Sequence, residues 1–517
     1  MGRSISTVAP SILRKLNLPA AYYDPRLNRH YEVYTQSGNL YQSQFQLNGE
    51  GKEVFRDTHR IQWIVGAGAN VFGAIIQRGD YLFEAPLAFY TKPMTWGLGP
   101  GYEFTDLGFN RPILAGCMAC HSGRSTPVPA TNGRYEKVVF PEMTIGCERC
   151  HGPGAAHVQA IMSGASLHKK DLHIVNPAHL TPTLANNICM SCHEIADARV
   201  LKPGKSFQDF RPGTPLDDTF SVLMVPPSRK SPPQEDHLQQ YYSMTLSKCY
   251  RATGGRLRCI TCHDPHVEPS RQEAPAYFNS KCLTCHTNQS CSLPLETRQR
   301  TRPPDNCIGC HMPKRAVQVI AHSSLTNHRI LARSDEAFPD SAFHQTTPAL
   351  PNLIHLNPAP GKGGVAPPLL TLLQAYGELA GYKPEYVAPY LKVLDQLRRT
   401  QPASELVQAC LGRKDLISGR TQEAIDHLRY ALRIGPPQAT VYGDLSDALD
   451  KLGRRQEALV MLQKGIDQDP FNPVLQMTLV RRLIELKQYS NAQAALKHYL
   501  QIFPQDSSMR QMLGRIK

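Results

Sequence analysis

The chain has 517 residues and a formal net charge of +14, from 57 Lys and Arg against 43 Asp and Glu. That length suggests two to four domains with room for a large core, and no apolar run approaches the roughly 18 residues of a membrane span, which excludes a transmembrane helix. The basic excess points to nucleic acid or an acidic surface only until the cysteines are counted.

From Tyr31 to Tyr90 the pattern favours strands. Tyr31-Glu-Val-Tyr34 and Leu40-Tyr-Gln-Ser-Gln-Phe45 alternate around Ser37-Gly38-Asn39, a hairpin signal, and Tyr81 to Tyr90 continues the pattern. The glycines of Val65-Gly-Ala-Gly-Ala-Asn70 and Gly97-Leu-Gly-Pro-Gly101 read as tight turns, and the first lacks the full fingerprint of a dinucleotide site. Residues 1–110 are therefore expected to form a small β-rich part.

Cys-x-x-Cys-His then occurs six times: as Cys117, Cys120 and His121; Cys147, Cys150 and His151; Cys189, Cys192 and His193; Cys259, Cys262 and His263; Cys282, Cys285 and His286; and Cys307, Cys310 and His311. This pattern attaches c-type haem: two thiols one turn apart add to the vinyl groups, and the following histidine comes under the iron. Zinc needs four ligands per metal, and a thioredoxin-like motif occurs once beside a βαβ pattern, so both fit poorly. Residues 111–333 are read as a hexahaem cytochrome c domain of motifs, turns and short helices, since haem faces supply apolar surface that side chains otherwise would. Its longest motif-free gap, His193 to Cys259, is expected to hold a surface loop and a helix near His237 to Thr245. Six haems carry about −6 when ferric and about −12 when ferrous, which leaves little support for nucleic acid as a partner.

Twelve of the 15 cysteines lie in these motifs. Covalent haem attachment takes place outside the cytoplasm, so the expected location is periplasmic or extracellular. There Cys249 and Cys291 could pair as a disulfide or stay as buried thiols, and Cys410 is expected in a core.

Bis-histidine ligation requires six further imidazoles. His157 and His266 each follow a motif too closely to reach over their own ring, but each can serve a neighbouring haem. His322 and His328 sit six residues apart after the last motif, suited to two different irons, and His59 and His237 complete the set. His30, His173 and His179 are reserves, and Met143 or Met312 could replace one histidine.

Residues 334–368, rich in Pro and Gly, read as a linker. Beyond it a period of 34 appears: Pro402, Pro436, Pro470 and Pro504 fall in register, as do Leu394, Leu428, Leu462 and Leu496, then Ala424, Ala458 and Ala492, then Leu411, Leu445 and Leu479, and Gly419 with Gly453. Residues 369–517 thus look like tetratricopeptide repeats, three clear units after a degenerate first one from about Pro368, able to fold without a cofactor. The fold class expected is mainly α, a multihaem cytochrome c domain with a small β-rich N-terminal part followed by an α-solenoid.

The stretches Cys147-Glu-Arg-Cys-His-Gly-Pro-Gly-Ala-Ala-His157, Cys259-Ile-Thr-Cys-His-Asp-Pro-His266 and Cys307-Ile-Gly-Cys-His-Met-Pro313 resemble the secreted multihaem cytochromes c with C-terminal tetratricopeptide repeats. These are related to the nitrite reductase and hydroxylamine oxidoreductase group. The resemblance implies a bis-histidine haem chain that passes electrons, with His157, His266, His322 and His328 at the distal positions. Redox proteins, chiefly other cytochromes, are the expected partners, with the repeats docking a protein or a second copy. The alternative is a reductase of nitrite, hydroxylamine or a sulfur oxyanion at one open haem. Against it, the Cys-x-x-Cys-Lys motif of the nitrite reductases is absent here. Such cytochromes open with a signal peptide and a further haem motif before a sequence like Met1-Gly-Arg-Ser4. The reading frame is therefore expected to extend upstream, with a seventh haem that draws its distal ligand from His30 or His59.

Overall fold

The computed structural model describes residues 3–165, 172–229, 239–314, 326–343, 352–361 and 365–516. The chain divides into two compact units, one formed by Gly146–Tyr390 and the other by the chain up to Ile145 together with the chain from Leu391 onward. No helix among the described residues is long and apolar enough to cross a membrane.

The second unit starts with two antiparallel sheets. Ala20–Asp24, Arg29–Gln36, Asn39–Leu47 and Glu53–Arg60 pair in chain order. The expected hairpin closes Gln36 on Asn39 through Ser37 and Gly38, both at positive φ (50° and 76°), the combination that matches strand twist in a two-residue turn. The other sheet has seven strands, with Ile5–Thr7, Trp63–Val65, Val71–Arg78, Tyr81–Glu84 and Arg111–Pro112 in order and Leu87–Tyr90 and Thr95–Leu98 branching from Val71–Arg78. Val33, Leu40, Ile64, Ile76, Phe83 and Phe89 fill the core. Buried Gln42 stitches across it, donating to the Leu87 carbonyl at 3.2 Å and accepting the Leu87 N–H at 2.8 Å. The β-rich part is thus a full two-sheet core rather than a small appendage, and the fold is mixed where a mainly α chain was expected.

The repeats follow their sequence register. Helices Glu405–Ile417 and Thr421–Ile434, Ala439–Lys451 and Arg455–Gln468, and Pro473–Glu485 and Tyr489–Ile502 form three pairs, followed by Ser507–Arg515. Ala424, Ala458 and Ala492 and Leu428, Leu462 and Leu496 are fully buried, the small residues letting paired helices approach while the leucines fill the seam. Gly419 and Gly453 take positive φ at the turn inside each pair, and in the third copy Lys487 holds that conformation at φ 59°.

These repeats are packed onto the β-rich part. Phe471, just after Pro470, stands edge-on to Tyr81 and Phe83 at 5.0 and 4.7 Å between ring centres. The Arg78 guanidinium lies over Phe83 at 4.2 Å and over Phe471 at 4.5 Å. Asn132 donates to Asp469 at 2.9 Å, and Asn110 donates to the Ile502 carbonyl at 2.8 Å.

In Gly146–Tyr390 a three-stranded sheet runs Ala198–Leu201, Phe220–Met224, Ile354–His355. The last strand lies in the stretch read as a linker: Ile354 pairs with Met224 and His355 with Leu223, and Leu353, Ile354 and Leu356 are buried. The short apolar run supplies a strand edge even though prolines flank it. Helix Leu369–Ala380, read as the first repeat, also belongs here, against Ala198–Leu201, and the division between units falls inside helix Val387–Thr400. Where a helix is expected from His237 to Thr245, the chain forms helix Gln240–Thr245, capped by extended Gln239, and His237 lies outside the described residues. Asp217 gathers His355 Nε2 at 3.1 Å, Lys202 Nζ at 2.8 Å and Ser221 Oγ at 2.6 Å beneath the sheet. Burial by itself would raise this carboxyl, but these donors outweigh it and hold it below its ordinary value.

Three expectations follow from these contacts. Phe471→Ala lowers the unfolding free energy of the full chain by on the order of 3 kcal/mol in a denaturant titration, because it empties an aromatic contact between repeats and sheet. Lys487→Gly raises it by about 1 kcal/mol by relieving the left-handed backbone. A depressed carboxylate contributes stability above its unfolded pKa and loses it as pH falls through the folded value. The deficit of Asp217→Asn at neutral pH therefore shrinks on acidification below about pH 4, as thermal melts at several pH values will read.

Candidate functional site

Each Cys-x-x-Cys-His motif is one helical turn. His151, His263 and His286 N–H groups bond the carbonyl of the first cysteine of their motif at 2.9, 3.0 and 3.0 Å. The other three motifs lie in helices Ala115–His121, Pro182–His193 and Cys307–His311. Residues three and four apart share a helix face, so the turn presents two thiols and an imidazole together.

The two thiols of a motif are not equally covered. In the first motif Cys117 is exposed and Cys120 half-buried, whereas in the sixth Cys307 is half-buried and Cys310 exposed. In the third motif Cys189 and Cys192 are both half-buried, and Cys192 Sγ lies 3.6 Å from Ser191 Oγ. The helical turn thus sets the spacing of each expected attachment pair, while tertiary packing decides which thiol of the pair is covered.

Two proximal imidazoles are clamped alike. Val175 N–H donates to the His151 carbonyl at 2.9 Å while His151 Nδ1 donates to the Val175 carbonyl at 2.7 Å. Leu331 N–H donates to the His311 carbonyl at 2.9 Å while His311 Nδ1 donates to the Leu331 carbonyl at 2.6 Å. A carbonyl only accepts, so the Nδ1 proton is fixed and Nε2 keeps its lone pair outward, the arrangement of metal-binding histidines. His157 and His328 are oriented the same way, by the Leu172 carbonyl at 2.8 Å and the Thr326 carbonyl at 2.9 Å.

The structure brings two of the expected distal histidines to proximal ones. His266 faces His151 with ring centres 5.9 Å apart and planes 17° from parallel. His328 faces His263 at 6.2 Å and 29°. Two imidazoles that share one metal at about 2 Å from each nitrogen hold their ring centres about 6 Å apart. Burial pushes His328 down to about 4 and also lowers His193 and His263, which keeps these rings neutral, the form that ligates. His328 is delivered by a segment laid beside the sixth motif, where Asn327 N–H donates to the Pro313 carbonyl at 3.1 Å. No group of three or more His, Cys, Asp or Glu placed to hold a bare ion occurs among the described residues. Iron in a porphyrin needs only two protein ligands, so the donor set fits haem.

His59 is different. Its Nε2 is bound to Asp57 Oδ1 at 2.7 Å and its ring packs on Phe109, so that nitrogen is already engaged in the sheet. The strand alternation puts Asp57, two residues away, on the same face as His59, where its carboxylate takes that bond. His237 and His322 lie outside the described residues. Cys249 and Cys291 carry no disulfide bond. Cys410 is half-buried rather than sealed in a core.

From the third to the sixth, the motif turns pack in chain order: Pro182–His193 on Cys259–Cys262, that turn on Ala274–Cys282, and Ala274–Cys282 on Cys307–His311. Burial raises Cys150, with Cys189 beside it; Cys189 is lowered by a hydrogen bond with Cys259, which that bond and burial raise in turn. Burial raises Cys262, with Cys285 near, and pushes Cys282 up to about 11, with Cys307 near. Two asparagines missed in the sequence tie these turns together. Asn186 accepts the Cys259 N–H at 2.9 Å and donates to the Leu257 carbonyl at 3.4 Å. Asn279 accepts the Cys307 N–H at 3.3 Å and donates to the Asp305 carbonyl. Each stands three residues before a motif, and that repeated Asn-x-x-Cys-x-x-Cys-His was the available signal.

Comparison with known proteins matches the repeats. A tetratricopeptide repeat family model matches residues 415–477 and 452–516. The small glutamine-rich tetratricopeptide repeat-containing protein 2 of Mycosarcoma maydis is 37% identical over 76 residues, 15% of this chain and 22% of the relative's length. The chain thus spans about a fifth of that relative. Among solved structures, MamA is similar at 18% identity, covering 27% of this chain and 80% of its own, with a TM-score of 0.24. YrrB, described as a TPR protein with an unusual peptide-binding site, is similar at 16% identity over 28% of this chain and 75% of its own, with a TM-score of 0.25. The family-model match shows that the C-terminal part of the chain carries tetratricopeptide repeats.

Proposed function

We propose that this chain is an exported multihaem c-type cytochrome that conducts electrons between redox proteins, with its repeats as the docking part. The observation that carries this reading is the pair of facing imidazoles, His151 with His266 and His263 with His328, each near the spacing that two ligands of one iron require. Residues 252–314 give a second support: they hold three motifs, yet only Pro275, Asn279 and Arg298 are buried there. A segment with no apolar core of its own needs another source of apolar contact, and porphyrin faces would supply it.

The six cysteine pairs would hold haem c by thioethers, each S–H adding across a vinyl group, and the six motif histidines would ligate iron from one side. Bound haem supplies a one-electron ferric/ferrous couple. The protein's own part is to keep the imidazoles neutral, aim Nε2 through the carbonyl bonds to Nδ1, and set neighbouring attachment turns side by side. Packing of Pro182–His193 on Cys259–Cys262, of that turn on Ala274–Cys282 and of Ala274–Cys282 on Cys307–His311 puts the third to sixth turns in series, which suits conduction better than storage at isolated centres. With His266 beside His151 and His328 beside His263, an iron at either place would have a second protein ligand, which favours transfer over reduction of nitrite or hydroxylamine. Tetratricopeptide arrays bind proteins, so the repeats suit a redox partner or a second copy.

The full chain, produced in a periplasm with haem-attachment machinery, is expected to carry haem mass on all six motif peptides and to give low-spin spectra. His266→Ala and His328→Ala should each turn one haem high-spin with the haem load unchanged. Motif peptides without haem mass would overturn the reading. A high-spin haem in the parent protein that turns over nitrite or hydroxylamine would replace it with the reductase.

A further inference from the structure

We infer that Asn186 and Asn279 are positioning residues that lock the third motif to the fourth, and the fifth to the sixth, as two equivalent paired-haem modules; this rests on the haem reading above. The two sites match atom for atom. Each asparagine lies on the helix that leads into a motif, three residues before its first cysteine, Asn186 before Cys189 and Asn279 before Cys282. Each accepts the N–H of the first cysteine of the next motif, Cys259 or Cys307, and donates to the carbonyl two residues earlier, Leu257 or Asp305. Both are buried, at 1% and 8% exposure.

A buried amide satisfied at both ends has one orientation, because reversing it would set donor against donor and acceptor against acceptor. The two bonds therefore fix both the position and the direction of the second motif relative to the first. In each module the two attachment turns pack together, helix Pro182–His193 against Cys259–Cys262 and helix Ala274–Cys282 against Cys307–His311. The bracket would therefore hold the two attachment turns, with any haem each carries, at a fixed relative placement. The second module is reinforced by Arg298, which pairs with Asp305 at 2.9 Å and accepts the Asp305 N–H on its carbonyl at 2.8 Å. Other motifs do not share the signature, since Leu114, Thr144, Arg256 and Pro304 occupy the matching position before Cys117, Cys147, Cys259 and Cys307.

The test uses the full haem-loaded chain and its Soret circular dichroism, where paired haems give a bisignate couplet. Asn279→Leu removes both bonds and Asn279→Asp keeps the acceptor but loses the donor; Asn186→Leu and Asn186→Asp do the same in the other module. Each Leu variant is expected to lose its own module's share of the couplet and to shift the potentials of those two haems, while haem mass on all motif peptides is retained. The Asp variants should show a smaller loss, and the Leu double variant the sum. If a Leu variant instead loads poorly, the inference requires haem to be missing from both motifs of its module and present in the other. Full load with an unchanged couplet, or haem loss that ignores the modules, overturns the pairing. A parent protein without haem overturns the haem reading, and the inference falls with it.

Discussion

Residues 252–314 of the unit Gly146–Tyr390 carry three Cys-x-x-Cys-His turns and bury almost nothing apolar of their own, only Pro275, Asn279 and Arg298 being buried there. Ordering a residue costs about 1–2 kcal/mol of backbone entropy, which apolar burial usually offsets. Here order comes from polar bonds: asparagine amides on backbone groups across motif pairs, the Arg298 guanidinium on the Asp305 carboxylate, and the Leu331 carbonyl on the His311 Nδ1. Such bonds give direction rather than bulk cohesion. A rigid planar cofactor held at three covalent or coordinate points would provide the cohesion, and it would need the directional bonds to fix its tilt.

The apolar core of this unit lies elsewhere, around the sheet that Phe220–Met224 centres. That sheet is completed by Ile354–His355, so the chain after the last motif returns to seal the region that precedes the fourth. Buried Asn357 bonds both Val222 N–H and the Phe220 carbonyl, which fixes the return in register. A histidine supplied from residues 326–331 consequently starts from an anchored backbone, because its segment is hydrogen-bonded to the sixth motif and to Ser243 on helix Gln240–Thr245.

In the other unit the repeats and the β-rich part share one aromatic joint. Phe471 sits in the loop between the second and third helix pairs, among Tyr81, Phe83 and Arg78, and the loops at Asp469 and Ile502 add polar contacts. These loops carry the in-register prolines Pro470 and Pro504. The ends of helices Arg455–Gln468 and Tyr489–Ile502, with the residues that follow them, therefore also attach the array to the β-rich part.

Short-range periodicity was enough to determine several features. The 34-residue interval set the helix pairs and buried Ala and Leu positions, strand alternation around Ser37-Gly38 set the first hairpin, and the pentapeptide spacing set six helical turns that present two thiols and one imidazole. His266, three residues after its motif, stands beside His151, and His328 beside His263. What the sequence did not reveal depends on groups distant in the chain. Which thiol of a motif is covered, Cys120 in the first but Cys307 rather than Cys310 in the sixth, follows from packing that the identical spacing does not encode. His59 is engaged by Asp57, Ile354–His355 joins a sheet from within a proline-rich stretch, helix Leu369–Ala380 packs with the strands instead of the repeats, and Lys487 adopts a glycine-like turn. The clamps on His151 and His311 use main-chain carbonyls, which any residue carries, so no residue type marks them. Tertiary structure alone decided those contacts, because a hydrogen bond to backbone and a contact across hundreds of residues leave no period in the sequence.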